Sequence, residues 1–268
     1  MAIYDCFQYF NEDHIIDLRM NIMNKYVNYF VISESTRNHQ GEKKNLKFDI
    51  KKFSKFKDKI KYLVADPKND LIIKNHKYGH SLIEQHQRDY LSNGLTSAKD
   101  EDLIIISDSD EIPDLRKINL LKNNKKYFGF SQTAYCYKLN LFNPKENNWI
   151  GSRACLKKNL ITPHKLRQIK FKKYPFWRID KKNYQVIDQG GWHFSYLLNP
   201  KNISEKIQSF SHSEDNTKDN IDIENIENKL KKLLHPTKNY NLKKVEIDNT
   251  FPNYILNNTG TLKDWILK

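Results

Sequence analysis

Three acids in four positions, Asp108, Asp110 and Glu111, follow four apolar residues, Leu103 to Ile106. The apolar run is mostly β-branched and reads as a buried parallel strand. In an open α/β sheet, ligands bind beyond the carboxyl ends of the strands. This strand therefore delivers carboxylates to the place where a ligand would sit. Clustered carboxylates repel one another unless a cation joins them. A hard divalent ion holding a diphosphate is the natural partner. Pro113 then suits the first turn of a following element. An Asp-x-Asp triplet says little without context. Asp100 and Asp102 make another one, but they precede the strand and read as a solvated turn. For the triplet after the strand, the competing account is an acid cluster complementing a helix dipole.

The elements that must position these acids can be read from periodicity. Ile3 to Phe7 is a first strand, and Asn11 can cap the helix after it. Ile15, Leu18, Ile22, Met23 and Tyr26 recur at helical spacing. Tyr29 to Ile32 is a second buried strand ending at Ser33-Glu34-Ser35, and 37–48 is a polar loop. Ile60 to Val64 is a third strand, ending at Asp66-Pro67. Ser81 and Glu84 form a capping-box pattern, opening a helix with Ile83, Gln87, Tyr90 and Leu91 on one face and Arg88 near its middle. The order β-α-β-β-α-β predicts a mostly parallel, helix-covered sheet. The second half is less regular. Tyr127 to Leu141 alternates and predicts antiparallel strands. Lys170 to Arg178 is basic and aromatic. Asn202 caps a short helix bearing Ile203, Ile207 and Phe210. Ile223, Ile226, Leu230 and Leu233 mark another.

A chain of 268 residues can bury a full α/β core, and one domain is expected over two. We divide it at about 1–125, a nucleotide half, and about 126–268, an acceptor half with C-terminal helices. Three cysteines without CxxC spacing argue against a disulfide framework or a zinc site and fit a reducing compartment, so a cytoplasmic location is expected. No apolar run has transmembrane length, and no secretory signal pattern opens the chain. The net charge of +14 is spread over lysine-rich patches in a chain also rich in Asn and Ile, as A/T-rich coding would give. Otherwise it suits an acidic or phosphorylated substrate, or peripheral contact with an anionic membrane. No GxGxxG follows the first strand, and there is no P-loop or GxSxG elbow. A sheet of this kind that must hold a diphosphate is left with a metal on carboxylates.

Several segments together resemble glycosyltransferase family 17. They are Ile3 to Phe7, Asp17-Leu18-Arg19, Tyr29 to Ser35, Gln87-Arg88, Ser107 to Pro113, Gly191-Trp192-His193-Phe194-Ser195 and Phe251-Pro252-Asn253-Tyr254. The similarity runs from about residue 3 to 258. It implies a GT-A-like fold, with a Rossmann-like, mostly parallel sheet carrying helices on both faces and a smaller antiparallel sheet on the acceptor side. It also implies an inverting, metal-dependent transfer from a nucleotide sugar, with UDP-N-acetylglucosamine as the expected donor and Mn2+ or Mg2+ as the ion. The family includes membrane-anchored enzymes of the secretory pathway. This chain shows no anchor, so their location and glycoprotein acceptor do not carry over.

Glycosyl transfer must neutralise the leaving diphosphate, deprotonate the acceptor hydroxyl and exclude water. Asp110 is the first candidate for direct metal contact. Asp108 would share the ion or bind the ribose, and Glu111 would stand behind them. His193 would complete the metal shell or meet the diphosphate, unless it is a core histidine with satisfied hydrogen bonds; His212 has the same two readings. Gly190 and Gly191 would let backbone approach a ligand, and Trp192 would offer it a flat face. Asp188 is the expected base and Glu214 its rival, unless both are exposed loop acids. Glu34 and Asp66 lie where a base or ribose would be read. Arg88 suits phosphate oxygens, or else makes a helix-surface ion pair. Phe7, closing the first strand, completes the nucleotide set through the resemblance. Tyr174, Phe176, Trp177 and Arg178 form an acceptor platform or ordinary packing.

Two other readings compete. A nucleotidyltransferase would use the same sheet and metal on a sugar phosphate, but Gln8 to Asn11 is not the glycine-rich loop such enzymes carry. A nucleic-acid-binding protein would use the basic surface, but no binding motif of that kind is present. The expected partners are thus a UDP-sugar donor and a glycan or glycoconjugate acceptor, and an anionic acceptor would give the positive charge a use.

Overall fold

A computed structural model of the chain describes residues 1–78, 82–171, 183–209 and 215–268. The first four strands are β1 (Ile3–Tyr9), β2 (Tyr29–Ser35), β3 (Ile60–Ala65) and β4 (Leu103–Ser107). They lie parallel in the order β3-β2-β1-β4. Both faces are covered, and alternation along each strand shows it. Ile3, Phe7, Phe30 and Ile105 enter one core with helix α1 (Asp13–Met23). Tyr4, Cys6, Val31, Ile104 and Ile106 enter another on the opposite face, with Leu91 and Leu95. Strands buried on both faces read as near-continuous apolar runs, which is why this half is visible in the sequence.

Three details differ from expectation here. Asn11 does not cap α1: Glu12 takes that position, and its side chain makes no capping bond. A helix, α2 (Asn69–Tyr78), fills part of the β3–β4 crossover. Its apolar residues are few and Ile73 is exposed, so no periodic stripe announced it. Helix α3 (Leu82–Tyr90) follows as expected, while Ser81, its anticipated cap, lies outside the described residues. Pro113 opens no helix. It ends the short strand β5 (Glu111–Pro113).

The second half continues the same sheet rather than forming a separate antiparallel one. It contains β6 (Tyr127–Cys136), β7 (Leu141–Phe142), β8 (Trp149–Leu156), α4 (Pro163–Arg167) and β9 (Tyr184–Ser195). Strand β8 pairs antiparallel with β4 and so covers an edge that would otherwise be open. β8 and β7 pair antiparallel with β6, but β9 runs parallel to β6 along its length, with a register shift between Phe130 and Gln132. Helices α5 (Pro200–Ser209), α6 (Lys218–Ile221) and α7 (Ile223–Lys231), a two-residue strand β10 (Lys243–Lys244) and α8 (Asn253–Asn257) complete the chain. Asn199, not Asn202, caps α5: its side chain accepts the Asn202 N–H at 2.8 Å. Among the described residues, no helix is long and apolar enough to cross a membrane.

Candidate active site

The crevice lies where the strand order reverses, beyond the carboxyl ends of β1 and β4. Gln8, Tyr9 and Phe10 line it at the end of β1, and Asp108, Ser109 and Asp110 in the turn after β4. Its volume is about 340 Å3.

The acid turn is held from beneath by a fully buried arginine. Arg19 of α1 pairs with Asp5 at 2.5 Å. Its Nη1 donates to the backbone carbonyls of Asp108 (3.2 Å), Ser109 (3.3 Å) and Glu111 (2.7 Å). Five N–H groups in a rigid fork let one side chain join β1 to the turn. Glu111 is buried and fully used: Oε1 accepts from Arg167 (2.6 Å) and Trp149 (2.8 Å), and Oε2 from the Asp108 N–H (3.0 Å). A Cβ at Gly151 would strike the Gln132 side chain and come within 2.8 Å of the Glu111 carboxyl carbon. Glycine there makes room for the buried carboxylate.

Asp108 accepts from two arginines, Arg88 Nη2 at 3.1 Å and Arg167 Nη2 at 2.6 Å. Burial works to raise its pKa, but Arg167 and Arg88 override that and hold the carboxyl well below the usual range. Arg88 also binds Glu84 at 2.6 Å. Its Nε is buried without a hydrogen-bond partner among the described residues. Asp110 is held differently. Its Oδ2 accepts from Lys206 of α5 at 3.2 Å, and Lys206 lies 3.4 Å from Glu12. Burial would lower the Lys206 pKa, but Asp110 and Glu12 carry it above the usual lysine value. Asp110 Oδ1 faces His193 Nε2 at 3.7 Å.

Strand pairing brings His193 there. β5 and β9 pair antiparallel with Glu111 opposite His193, and the Phe194 N–H donates to the Asp110 carbonyl at 2.9 Å. Alternation along β9 then turns Trp192 away. It is buried in the core, and its indole N–H donates to the Thr250 carbonyl at 3.1 Å. The glycines before it serve packing, not a ligand. A Cβ at Gly191, where φ is +148°, would collide with Ile112 O of β5, and one at Gly190 would lie 2.6 Å from Ile187 O.

Of the residues singled out by sequence, Arg88, Asp108, Asp110 and His193 line the crevice together. Phe7 does not: it is buried under the Arg19 guanidinium at 4.7 Å. Glu34 is buried with its oxygens taken by Lys44, Tyr62 and two backbone N–H groups. Asp66 lines a neighbouring lysine-rich hollow, with Arg37 between the two cavities. Asp188 is exposed and outside the crevice, within the β9 register shift. Glu214, His212, Tyr174, Phe176, Trp177 and Arg178 lie outside the described residues. Sequence reasoning missed Arg19, Arg167, Lys206, Trp149 and Glu146. Only Arg19 carried a signal, as a charged residue within the apolar stripe of α1.

A divalent ion needs oxygen or imidazole donors that are not already committed to cations. Asp108 does not fit, since both of its oxygens hold arginines. Among the described residues no group of three His, Cys, Asp or Glu side chains could hold a metal. Asp110 Oδ1 and His193 Nε2 do fit an ion that takes its remaining ligands from a diphosphate and water, the usual habit of Mg2+.

These features belong to an enzyme that handles a charged ligand at the switch point of an α/β sheet. The sequence profile of glycosyltransferase family 17 matches residues 1–234, and the chain belongs to that family: it is a glycosyltransferase. Family membership implies a nucleotide-sugar donor and a glycan acceptor. Curated proteins provide no match. Among solved structures, the inositol-1-phosphate CTP transferase from T. maritima is similar, at 12% identity over 59% of this chain and 71% of that chain, with a TM-score of 0.31.

Proposed function

We propose that the protein is an inverting, metal-dependent transferase that moves N-acetylglucosamine from UDP-N-acetylglucosamine to a glycan hydroxyl. The observation that carries this reading is the pairing of Asp110 with His193 beside two basic side chains, Arg88 and Lys206, at the β1/β4 crevice. The choice of UDP-N-acetylglucosamine rests on the family resemblance alone.

Arg88 has a buried Nε–H with no partner among the described residues, and a phosphate oxygen would satisfy it. Lys206 brings a second cation to the same place. A divalent ion on Asp110 and His193 would add charge neutralisation of the leaving diphosphate. Asp108 acts through its arginines, keeping Arg88 and Arg167 oriented. Arg19 fixes the backbone that carries both acids. Tyr9, Phe10 and Trp149 line the walls and limit water.

The acceptor is proposed to be anionic, because the hollow next to the crevice is lined by Arg37, Lys43, Lys44 and Lys68 against the single acid Asp66. The three cysteines are free and buried, which supports a cytoplasmic site of action. Contact with an anionic membrane is compatible with the same basic surface. Product analysis tests the reading. Transfer releases UDP and gives an inverted anomer, whereas pyrophosphate release would identify a nucleotidyltransferase instead.

A further inference from the structure

Six described carboxylates line the crevice: Glu12, Glu84, Asp108, Asp110, Glu146 and Asp215. Five are paired with cations. Lys206 holds Glu12 and Asp110, Arg88 holds Glu84 and Asp108, and Lys238 holds Asp215 at 2.8 Å. The Glu146 carboxylate makes no hydrogen bond or ion pair with the described residues. A paired carboxylate is a poor proton acceptor, because the cation stabilises its charged form. The imidazoles are also committed. His193 faces Asp110, and His235 Nδ1 accepts the N–H groups of Thr237 and Lys238. Burial holds His39 below the usual imidazole range.

The backbone that carries Glu146 is fixed. Buried Asn143 accepts the N–H of Lys145 at 3.1 Å and of Glu146 at 3.3 Å, and donates to the Tyr240 hydroxyl at 3.1 Å. Asn148, with φ +66°, then turns the chain into β8. Trp149 begins that strand. It is 44% exposed, yet its indole N–H is anchored on Glu111 at 2.8 Å and its ring lies against His193, 6.1 Å between centroids. An anchored flat apolar face and a carboxylate unpaired among the described residues thus line one crevice. The first suits the C–H face of a sugar ring and the second its reacting hydroxyl.

We propose that Glu146 is the general base and that Glu146 and Trp149 form the acceptor subsite. The assignment rests on the inverting transferase reading above. The acceptor O–H gives its proton to Glu146 as its oxygen bonds to the anomeric carbon. The bond from that carbon to the diphosphate oxygen breaks, and its electron pair leaves with the nucleoside diphosphate beside Arg88 and Lys206. The Glu146 carboxyl then returns its proton to solvent.

Glu146→Gln tests this with two nucleophiles, water and azide, on UDP-N-acetylglucosamine, reading UDP release and the thermal shift given by the donor. Water must lose a proton; azide need not. The variant should keep the donor's thermal shift, lose UDP release with water by about 10²–10⁴-fold, and recover it with azide. The acid limb of its pH–rate profile should also vanish. Undiminished release with water, or no rescue by azide, would overturn the assignment. A wild-type protein that neither binds nor cleaves any nucleotide sugar would overturn the transferase reading itself, and the base with it.

Discussion

The two walls of the crevice are built on different terms. On the sheet wall, Asp108, Asp110 and Glu111 are locked by Arg88, Arg167 and Lys206, and Arg19 grips the turn that carries them. On the other wall, formed by Glu146, Asp215 and Lys238, Glu146 has no such partner among the described residues, and the Asp215–Lys238 pair is partly open to solvent. The first wall suits a fixed array of charge that meets a ligand bringing its own. The second suits a group that must change its protonation during turnover. Rigid charge and free basicity are incompatible demands on one carboxylate, and the molecule separates them.

On the sheet wall the largest effect should come from Asp110. Asp110→Ala should lower transfer about 10²–10³-fold or more, by removing charge stabilisation in a partly buried site. Steady-state UDP release measures it, and an active variant would break the comparison at its strong point. Next comes stability. Arg167→Met leaves the buried Glu111 charge without its cation and should cost about 3–5 kcal/mol in urea unfolding. Lys238→Met on the other wall removes a half-exposed pair and should cost less than about 1 kcal/mol. Equal costs would erase the distinction.

Acid should separate the titrating groups by pH. Burial pushes the pKa of His14 and of His235 down to about 4. Both therefore fold neutral, and their contribution is complete above the unfolded value of about 6.5. It is lost as pH falls from there towards 4, by up to about 1.4 kcal/mol per pH unit for each. Asp108 has a depressed folded pKa, so its contribution is lost only below about pH 4. A urea midpoint unchanged between pH 7 and pH 5 would contradict the first part. The smallest effect belongs to Asp188→Asn. That exposed side chain lies outside the crevice, and transfer should stay within about two-fold of wild type.

The parallel strands and their terminal acids were legible because burial on both faces leaves unbroken apolar runs, and Leu103 to Ile106 stops abruptly at Asp108. The connections were less so. Arg167 lies 59 residues beyond Asp108 in a generally basic region, where nothing marks one guanidinium as buried. Glu146 sits in a polar turn between short strands, with no periodicity to place it. The sequence offers Trp192 and His193 to a ligand alike, although strand alternation allows only one of them to face the crevice. Alternation alone does not say which of the two it is. The β5–β9 pairing, which brings His193 to Asp110, is a long-range contact that local pattern cannot reveal.

The most direct test of the central claim is the thermal stability of wild type and Asp110→Ala with UDP-N-acetylglucosamine, each with and without Mn2+. A ligand that binds the native state must raise its stability. Wild type should show a rise that needs the ion and is absent from a well-folded Asp110→Ala protein. A rise of equal size in the variant would show that the donor is held elsewhere and would contradict the assignment of this crevice.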